Sequence, residues 1–430
     1  MADIDGRITG KDAANPVATE VPVFRLETAF AVGDPYATYD WFRANNPIHT
    51  GEPREWGPPP VYLFRHDDVI KWLRDARLGK EWQKLSPPDA APSVPERDSF
   101  QAVARQFMLF RDPLMHTHLR GLANLAFAPR QVEQLRPHIQ QVATSLIGEL
   151  RERETEDSID LIANFAYPLP TLVIAHILGI PTADFRRFRQ WAGDIAAAID
   201  FPLEGLQEFV ARVDQTTREL SDYLRWIFAQ RKANPQDDLI SRLIHADADG
   251  GQLDEEQVIG TCILLLVAGH ETTVNLIGNG TRALLRHPEQ WQMLVKDPDL
   301  ARTATEELLR FDSPVQLTTR IAYEEIELGR GVVIPPGTEL HYLLGSANRD
   351  AAVFADPANL DITRDVGRIM SFGMGIHFCL GSQLARLEGE IAFSTLAREL
   401  PHLSLATDQQ IWRPGAVLHG LRDLPVRTHP

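Results

Sequence analysis

Cysteine is nearly absent, with only Cys262 and Cys379 in a chain of 430 residues. They lie far apart in sequence and form no Cys-x-x-Cys or Cys/His cluster, so neither a disulfide framework nor a structural zinc site is indicated. Positive charge is also short. Lys and Arg number 43 against 59 Asp and Glu, a net charge of −16, which argues against nucleic acid or an anionic membrane surface as partner. Long apolar runs are missing too: the strongest, Ile263 to Ala268, falls far below the ~20 residues that cross a bilayer. Met1 to Arg7 carries no apolar signal region, so the sequence predicts no membrane anchor and a cytoplasmic location. Finally, no Gly/Ser tether divides the chain. The proline-rich places, Pro58 to Pro60 and Pro87 to Pro95, lie early and between short segments, so one large domain is expected, with a flexible lead-in over about residues 1–20. With 44% hydrophobic and 24% charged residues, that domain is ordinary globular material, large enough to enclose a sizeable cofactor.

What the chain does have is a glycine-punctuated loop, Ser371 to Gly381, that carries one of the two cysteines to the start of a helix-forming segment. Gly373, Gly375 and Gly381 can take positive φ and keep side chains away from a flat macrocycle, while Phe372 can shield a sulfur from water. Placed near a helix N-terminus, the Cys379 thiolate is expected to be favoured and its pKa low. The plainer reading of Cys379 is a small buried hydrophobe.

The run Phe-Gly-x-Gly-x-His-x-Cys-x-Gly, spelled here by Phe372 to Gly381, resembles the ligand signature of the cytochrome P-450 family, the haem-thiolate monooxygenases. The resemblance covers roughly residues 34–427. It implies a mainly α fold with a small β-rich region, and haem b held between a long central helix and the cysteine loop, with Cys379 as the metal ligand. In the middle of an apolar segment, Ala268-Gly269-His270-Glu271-Thr272-Thr273 matches the family's oxygen-activation motif. By resemblance, Thr272 bonds dioxygen and Glu271 relays protons, while glycine beside threonine allows a local widening or kink of the helix. The competing reading has Thr272 bonding the carbonyl four residues back and Glu271 pairing with an arginine. Glu307 and Arg310, an i,i+3 pair, match the family's buried structural ion pair. His116 and Arg120 (His-x-x-x-Arg), Arg320 and His377 match donors that hold the haem propionates. His270 fills the motif's variable position, and Cys262 reads as a packed hydrophobe.

Elsewhere the pattern predicts a helix within Asp34 to Asn45, a strand at Val61 to Phe64, helices over Gln131 to Arg151 and Leu206 to Arg231, and a long helix capped by Asp254 and ending near Pro288. Strands follow at Gln316 to Ala322 and Gly331 to Ile334, with a turn at Pro335-Pro336-Gly337. No flavin-binding or iron–sulfur segment is fused to the chain, so the resemblance implies a separate ferredoxin and ferredoxin reductase. They are expected to dock on a basic patch drawn from Arg120, Arg364, Arg368 and Arg386. Pocket positions implied by the family (Leu265, Ala268, Thr272, Val315 to Thr318, Val417, Leu418) are mainly apolar and suggest a lipophilic small molecule, roofed by loops near Ser86 to Phe100 and Phe201-Pro202. A peroxide-driven enzyme and a non-catalytic gas-sensing or electron-carrying haem protein are the other classes. The acid–alcohol pair Glu271-Thr272 favours the dioxygen route over both.

Overall fold

Asp254 starts the longest element of the fold. Its carboxylate accepts from the Gln257 N–H at 2.8 Å while the Gln257 side chain accepts from the Asp254 N–H at 3.1 Å, a reciprocal capping box. From there Glu255–Arg286 runs as one 32-residue α-helix, about 50 Å long. Most of its apolar stretch is buried inside the protein although its length and composition alone would let it cross a membrane. The computed structural model describes residues 24–26, 29, 33–54, 57–86, 99–153, 157–199, 206–245 and 253–429. The expected flexible lead-in and most of both expected roof loops lie outside the described residues.

Around this long helix pack Pro168–Leu178, Phe185–Ile199, Leu206–Ala233, Ala301–Phe311 and Ser382–Glu399. Two glycines let the last two approach closely. A Cβ at Gly280 of the long helix would stand 2.5 Å from the Phe393 ring, and one at Gly389 would meet Thr305 at 2.7 Å. The β-rich side is one five-stranded sheet, a three-stranded sheet and a two-stranded pair. The first has the order β1 (Ile48–Thr50), β2 (Val61–Leu63), β8 (Glu339–Leu343), β5 (Leu317–Ala322), β3 (Leu78–Gly79). Only β2 and β8 run parallel. The smaller sheets join β4 (Ile159–Asp160), β10 (Pro425–Arg427) and β9 (Ser404–Leu405), and β6 (Ile326–Gly329) with β7 (Val332–Ile334).

The predicted elements at Asp34, Val61, Leu206, Gln316 and Gly331 are present within a residue or two. Two expectations change. The single helix over Gln131 to Arg151 is two, Pro129–Gln134 and Arg136–Arg151; Pro137 has no N–H to continue an incoming ladder and instead opens a new first turn. The widening expected beside Gly269 is absent, since the long helix is α-helical throughout. Thr272 and Thr273 donate to the carbonyls of Ala268 and Gly269 at 2.8 and 3.3 Å, side-chain bonds made without breaking the helical ladder. The π-helical turn lies in a neighbouring segment, Ile162–Ala166, packed against the long helix where a Cβ on Gly278 would meet Ile162 at 2.5 Å.

Candidate active site

The cysteine loop is held by its own backbone and by a polar clamp behind it. Gly373 N–H donates to Met370 O at 2.8 Å and Cys379 N–H to Phe372 O at 3.0 Å. Gly373 and Gly375 take φ of +64° and +75°, a region that favours glycine. Gly381 does not: its φ of −83° is open to any residue, so the expectation of a third left-handed glycine is not met.

Behind the loop, Met370 N–H donates to Asn348 Oδ1 at 2.6 Å. The Asn348 amide donates to Ser371 Oγ at 2.8 Å, and that hydroxyl donates to Leu309 O at 2.7 Å. The chain is thus tied to the Ala301–Phe311 helix, where Glu307 and Arg310 form a fully buried bidentate pair with both contacts at 2.7 Å. Arg310 spends its other donors on Asn348, Pro357 and Asn359 carbonyls, and Glu307 also accepts from Asp361 N–H and Arg364 Nε. A buried pair with so many partners is the arrangement in which desolvation is best compensated.

Cys379 stands just ahead of the Ser382–Glu399 helix. Burial pushes its thiol above the ordinary value, against the Gly381 N–H, Arg120 and Arg386, which pull it down. The low pKa expected from the helix start is therefore not reached by protein groups alone; a metal bound to the sulfur would deprotonate it outright. Phe372, 9% exposed, covers this side with the Arg386 guanidinium 4.3 Å from its ring centre.

Above the loop, four expected donors converge. His116 and Arg120 lie on one face of the Met115–Phe127 helix, which continues through Gly121. The His116 and His377 rings are 4.4 Å apart, and Arg320, 4% exposed, reaches them from β5. Burial first, then Arg320, pushes His377 down to about 2; burial and the two arginines lower His116 as well. Among the described residues, His116 Nε2 and His377 Nε2 are buried with no hydrogen-bond partner. Two arginines within electrostatic reach of two partnerless histidine nitrogens, beside a cysteine presented by a glycine loop, fit a dicarboxylate macrocycle bound through sulfur. The residues present fit haem.

On the long helix, Ile263 to Val267 and Thr273 to Gly280 are buried, yet Ala268 is exposed and Thr272 half-exposed. Their i,i+4 spacing puts both on one face, so the helix wall opens there. Both bonds of the plainer reading are present: Thr272 donates to Ala268 O, and Glu271 pairs with Arg413. The His270 ring is fully buried, edge-on to Tyr167 at 4.3 Å, with Nδ1 3.6 Å from Glu271. Cys262, 2% exposed with its thiol pushed up to about 12 by burial, is core.

Val315 bridges Leu418, and Gln316 N–H donates to Val417 O, so the two expected pocket segments meet. Gln316 and Leu317, however, point inward. The Gln316 amide is fully buried against Tyr36 and Ser313, just ahead of β5, and Leu317, the first residue of that strand, belongs to an aromatic core cluster. Arg364 is likewise no free surface cation, since it is drawn onto Glu307 and the carbonyls of Ala355, Asp356 and Asn359. Arg386 is paired with Glu306. Of the expected patch, Arg368 is exposed and Arg120 half-buried.

Sequence reasoning missed Arg413, Asn348 and Glu388. Only the last carries a local oddity, an acid on the buried side of a helix. Glu388 is 1% exposed and faces Thr273; burial raises its carboxyl to about 8, with the Thr273 hydrogen bond opposing. It is therefore protonated in the fold where an unfolded chain, near 4.5, would ionise. The unfolded state then binds fewer protons, and stability should fall as pH rises from about 4.5 to about 8, by on the order of 5 kcal/mol over the interval. Urea midpoints measured across this range should slope downward in the wild type and flatten in Glu388→Gln; parallel slopes would refute the assignment.

The cytochrome P450 family model matches residues 87–413. The polyketide biosynthesis cytochrome P450 PksS of Bacillus subtilis (strain 168) is 39% identical over 398 residues, spanning 91% of this chain and 95% of that protein. The vitamin D(3) 25-hydroxylase of Pseudonocardia autotrophica is 38% identical over 404 residues, 92% of this chain and 94% of the other. Among solved structures, P450BioI in complex with an acyl carrier protein bearing hexadec-9Z-enoic acid superposes with a TM-score of 0.82 at 38% identity, covering 91% of this chain and 97% of that one.

Proposed function

The chain belongs to the cytochrome P450 family of haem-thiolate monooxygenases, and from that premise we propose that it binds haem b through Cys379 and hydroxylates, or otherwise oxidises, a lipophilic small molecule. Electrons come from a separate ferredoxin and its reductase, and the enzyme works in the cytoplasm. When bound, the haem supplies oxygen activation and the oxidising power for a C–H bond; the protein binds, orients and manages protons.

His116, Arg120, Arg320 and His377 hold the propionates, and Phe372 keeps water from the sulfur. Gly373, Gly381, Ala268 and Gly269 leave room for the macrocycle and for dioxygen. The observation that carries the reading is the single opening in a buried helix wall, at Ala268 and Thr272. In the present arrangement the Thr272 hydroxyl gives its proton to Ala268 O and offers lone pairs to the opening. To donate toward the opening, it exchanges that bond. Glu271, neutralised by the partly exposed Arg413, is the acid next in line toward solvent.

Thr272→Ala is the test. With ferredoxin and reductase, NADPH consumption should persist while product per NADPH falls and hydrogen peroxide makes up the difference. Coupling equal to wild type would refute the role of Thr272. Product formed from peroxide but never from ferredoxin would move the enzyme to the peroxide-driven class. Relatives named for a polyketide, for vitamin D(3) and for an acyl chain on its carrier protein set the first substrate panel, scored by the low-spin to high-spin shift.

A further inference from the structure

One face of the long helix carries polar groups along half its length. Ala268, Thr272, Asn275, Asn279, Arg282 and Arg286 recur at a spacing that, at about 3.6 residues per turn, gathers them into one stripe. All but the first two meet a single segment near the end of the chain. Arg286 donates to Asp408 O at 3.3 Å, and Arg282 donates to Gln410 Oε1 at 3.1 Å with its guanidinium 5.1 Å from the Trp412 ring centre. The segment then turns back on itself. Arg422 N–H donates to Ile411 O at 2.8 Å and Arg413 N–H to Gly420 O at 2.9 Å, with Trp412 bridged to Leu421 between them. The tip of this hairpin, Pro414 to His419, presents the half-buried Val417 and Leu418.

That tip is tied down from two sides. His419 N–H donates to Pro314 O at 2.9 Å, Gln316 N–H donates to Val417 O at 2.8 Å, and Leu418 bridges Val315. From the helix, Asn279 Nδ2 donates to His419 O at 2.9 Å, and a Cβ on Gly420 would collide with the Asn275 amide, so the hairpin lies directly on the stripe. Arg413, where the tip begins, pairs with Glu271, the neighbour of Thr272, which brings the tip to the edge of the Ala268–Thr272 opening. Asn279 is fully buried, and among the described residues its Oδ1 has no partner. Burying an amide costs free energy unless its bonds are made, so the bond to the tip is what an asparagine offers here over an apolar residue. Two helical turns, about 10 Å, separate Asn279 from Thr272, which leaves it out of reach of a ligand held at the opening.

We propose that Asn279 is a positioning residue for substrate selection: through the His419 carbonyl it holds Val417 and Leu418 at the rim of the opening, and so sets the apolar wall that an extended, lipophilic substrate meets. The inference rests on the haem reading above. Its test titrates holoenzyme with imidazole and with 1-dodecylimidazole, which ligate haem iron alike and differ in the alkyl chain that must run past the tip, and follows the Soret band. Asn279→Leu, and Asn279→Ala, which asks for no new space, should bind imidazole as wild type does but 1-dodecylimidazole about two- to tenfold more weakly, the size of one neutral hydrogen bond. Because the amide acts through the tip, Leu418→Ala, which weakens the long ligand in the wild-type background, should add little to Asn279→Ala. Unchanged affinity for the long ligand, an equal loss for both ligands, or full additivity with Leu418→Ala would each overturn the assignment of Asn279. A wild-type protein that takes up no haem, or whose Soret band does not move with imidazole, would overturn the haem reading itself.

Discussion

Cys379→Ser should abolish the strongly red-shifted Soret band of the dithionite-reduced carbon monoxide complex and reduce monooxygenase turnover to background. The argument is chemical before it is structural. A thiolate pushes electron density through the iron in a way that favours O–O cleavage, and an alcohol at the same place does not. Among the described residues the one other cysteine, Cys262, is packed in the core, and no group of three or more metal-ligating side chains occurs. The loop itself is braced by backbone bonds and by Asn348 and Ser371, none of which involves the sulfur. Serine should therefore leave the fold intact, with far-ultraviolet circular dichroism unchanged while the spectrum is lost. An unaltered carbon monoxide spectrum in the variant would mean that another residue ligates the metal.

The second large effect is on stability. Arg310→Ala or Glu307→Ala strands a fully buried charge, at a cost of about 3–5 kcal/mol, a large part of the roughly 5–15 kcal/mol that a folded protein commands. For Glu307→Ala the damage spreads, since Asp361 N–H and Arg364 lose their acceptor together. Both variants should show lowered urea midpoints and poor haem retention. The comparison is Glu306→Gln on the same helix, whose bond to Arg386 is partly exposed and contributes at most about 1 kcal/mol. Equal destabilisation by the two glutamate substitutions would show that burial is not what makes the Glu307 pair costly to break.

What could be read from sequence divides along the range of the interactions. The ligand loop, the capping box at Asp254, the all-round apolar helix and the Glu307–Arg310 spacing are patterns within a few residues of one another, and local pattern suffices to find them. Arg413 reaches Glu271 from the far end of the chain, and Asn348 meets Ser371 across a long irregular segment. No periodicity announces such pairings; they exist only once the fold is made. The sequence also overestimated freedom at the surface. Arg364 looks like a cation available to a partner, but it is committed to an internal carboxylate, which narrows the region where the proposed redox partner would find positive charge.

Every bond in the clamp behind the cysteine loop joins protein to protein, from Arg310 through Asn348 to Ser371. The entropy of ordering the ligand loop is thus met when the chain folds and not when the cofactor arrives. Haem uptake becomes a docking event onto a preassembled seat, and its rate should follow haem supply instead of the pace of loop rearrangement.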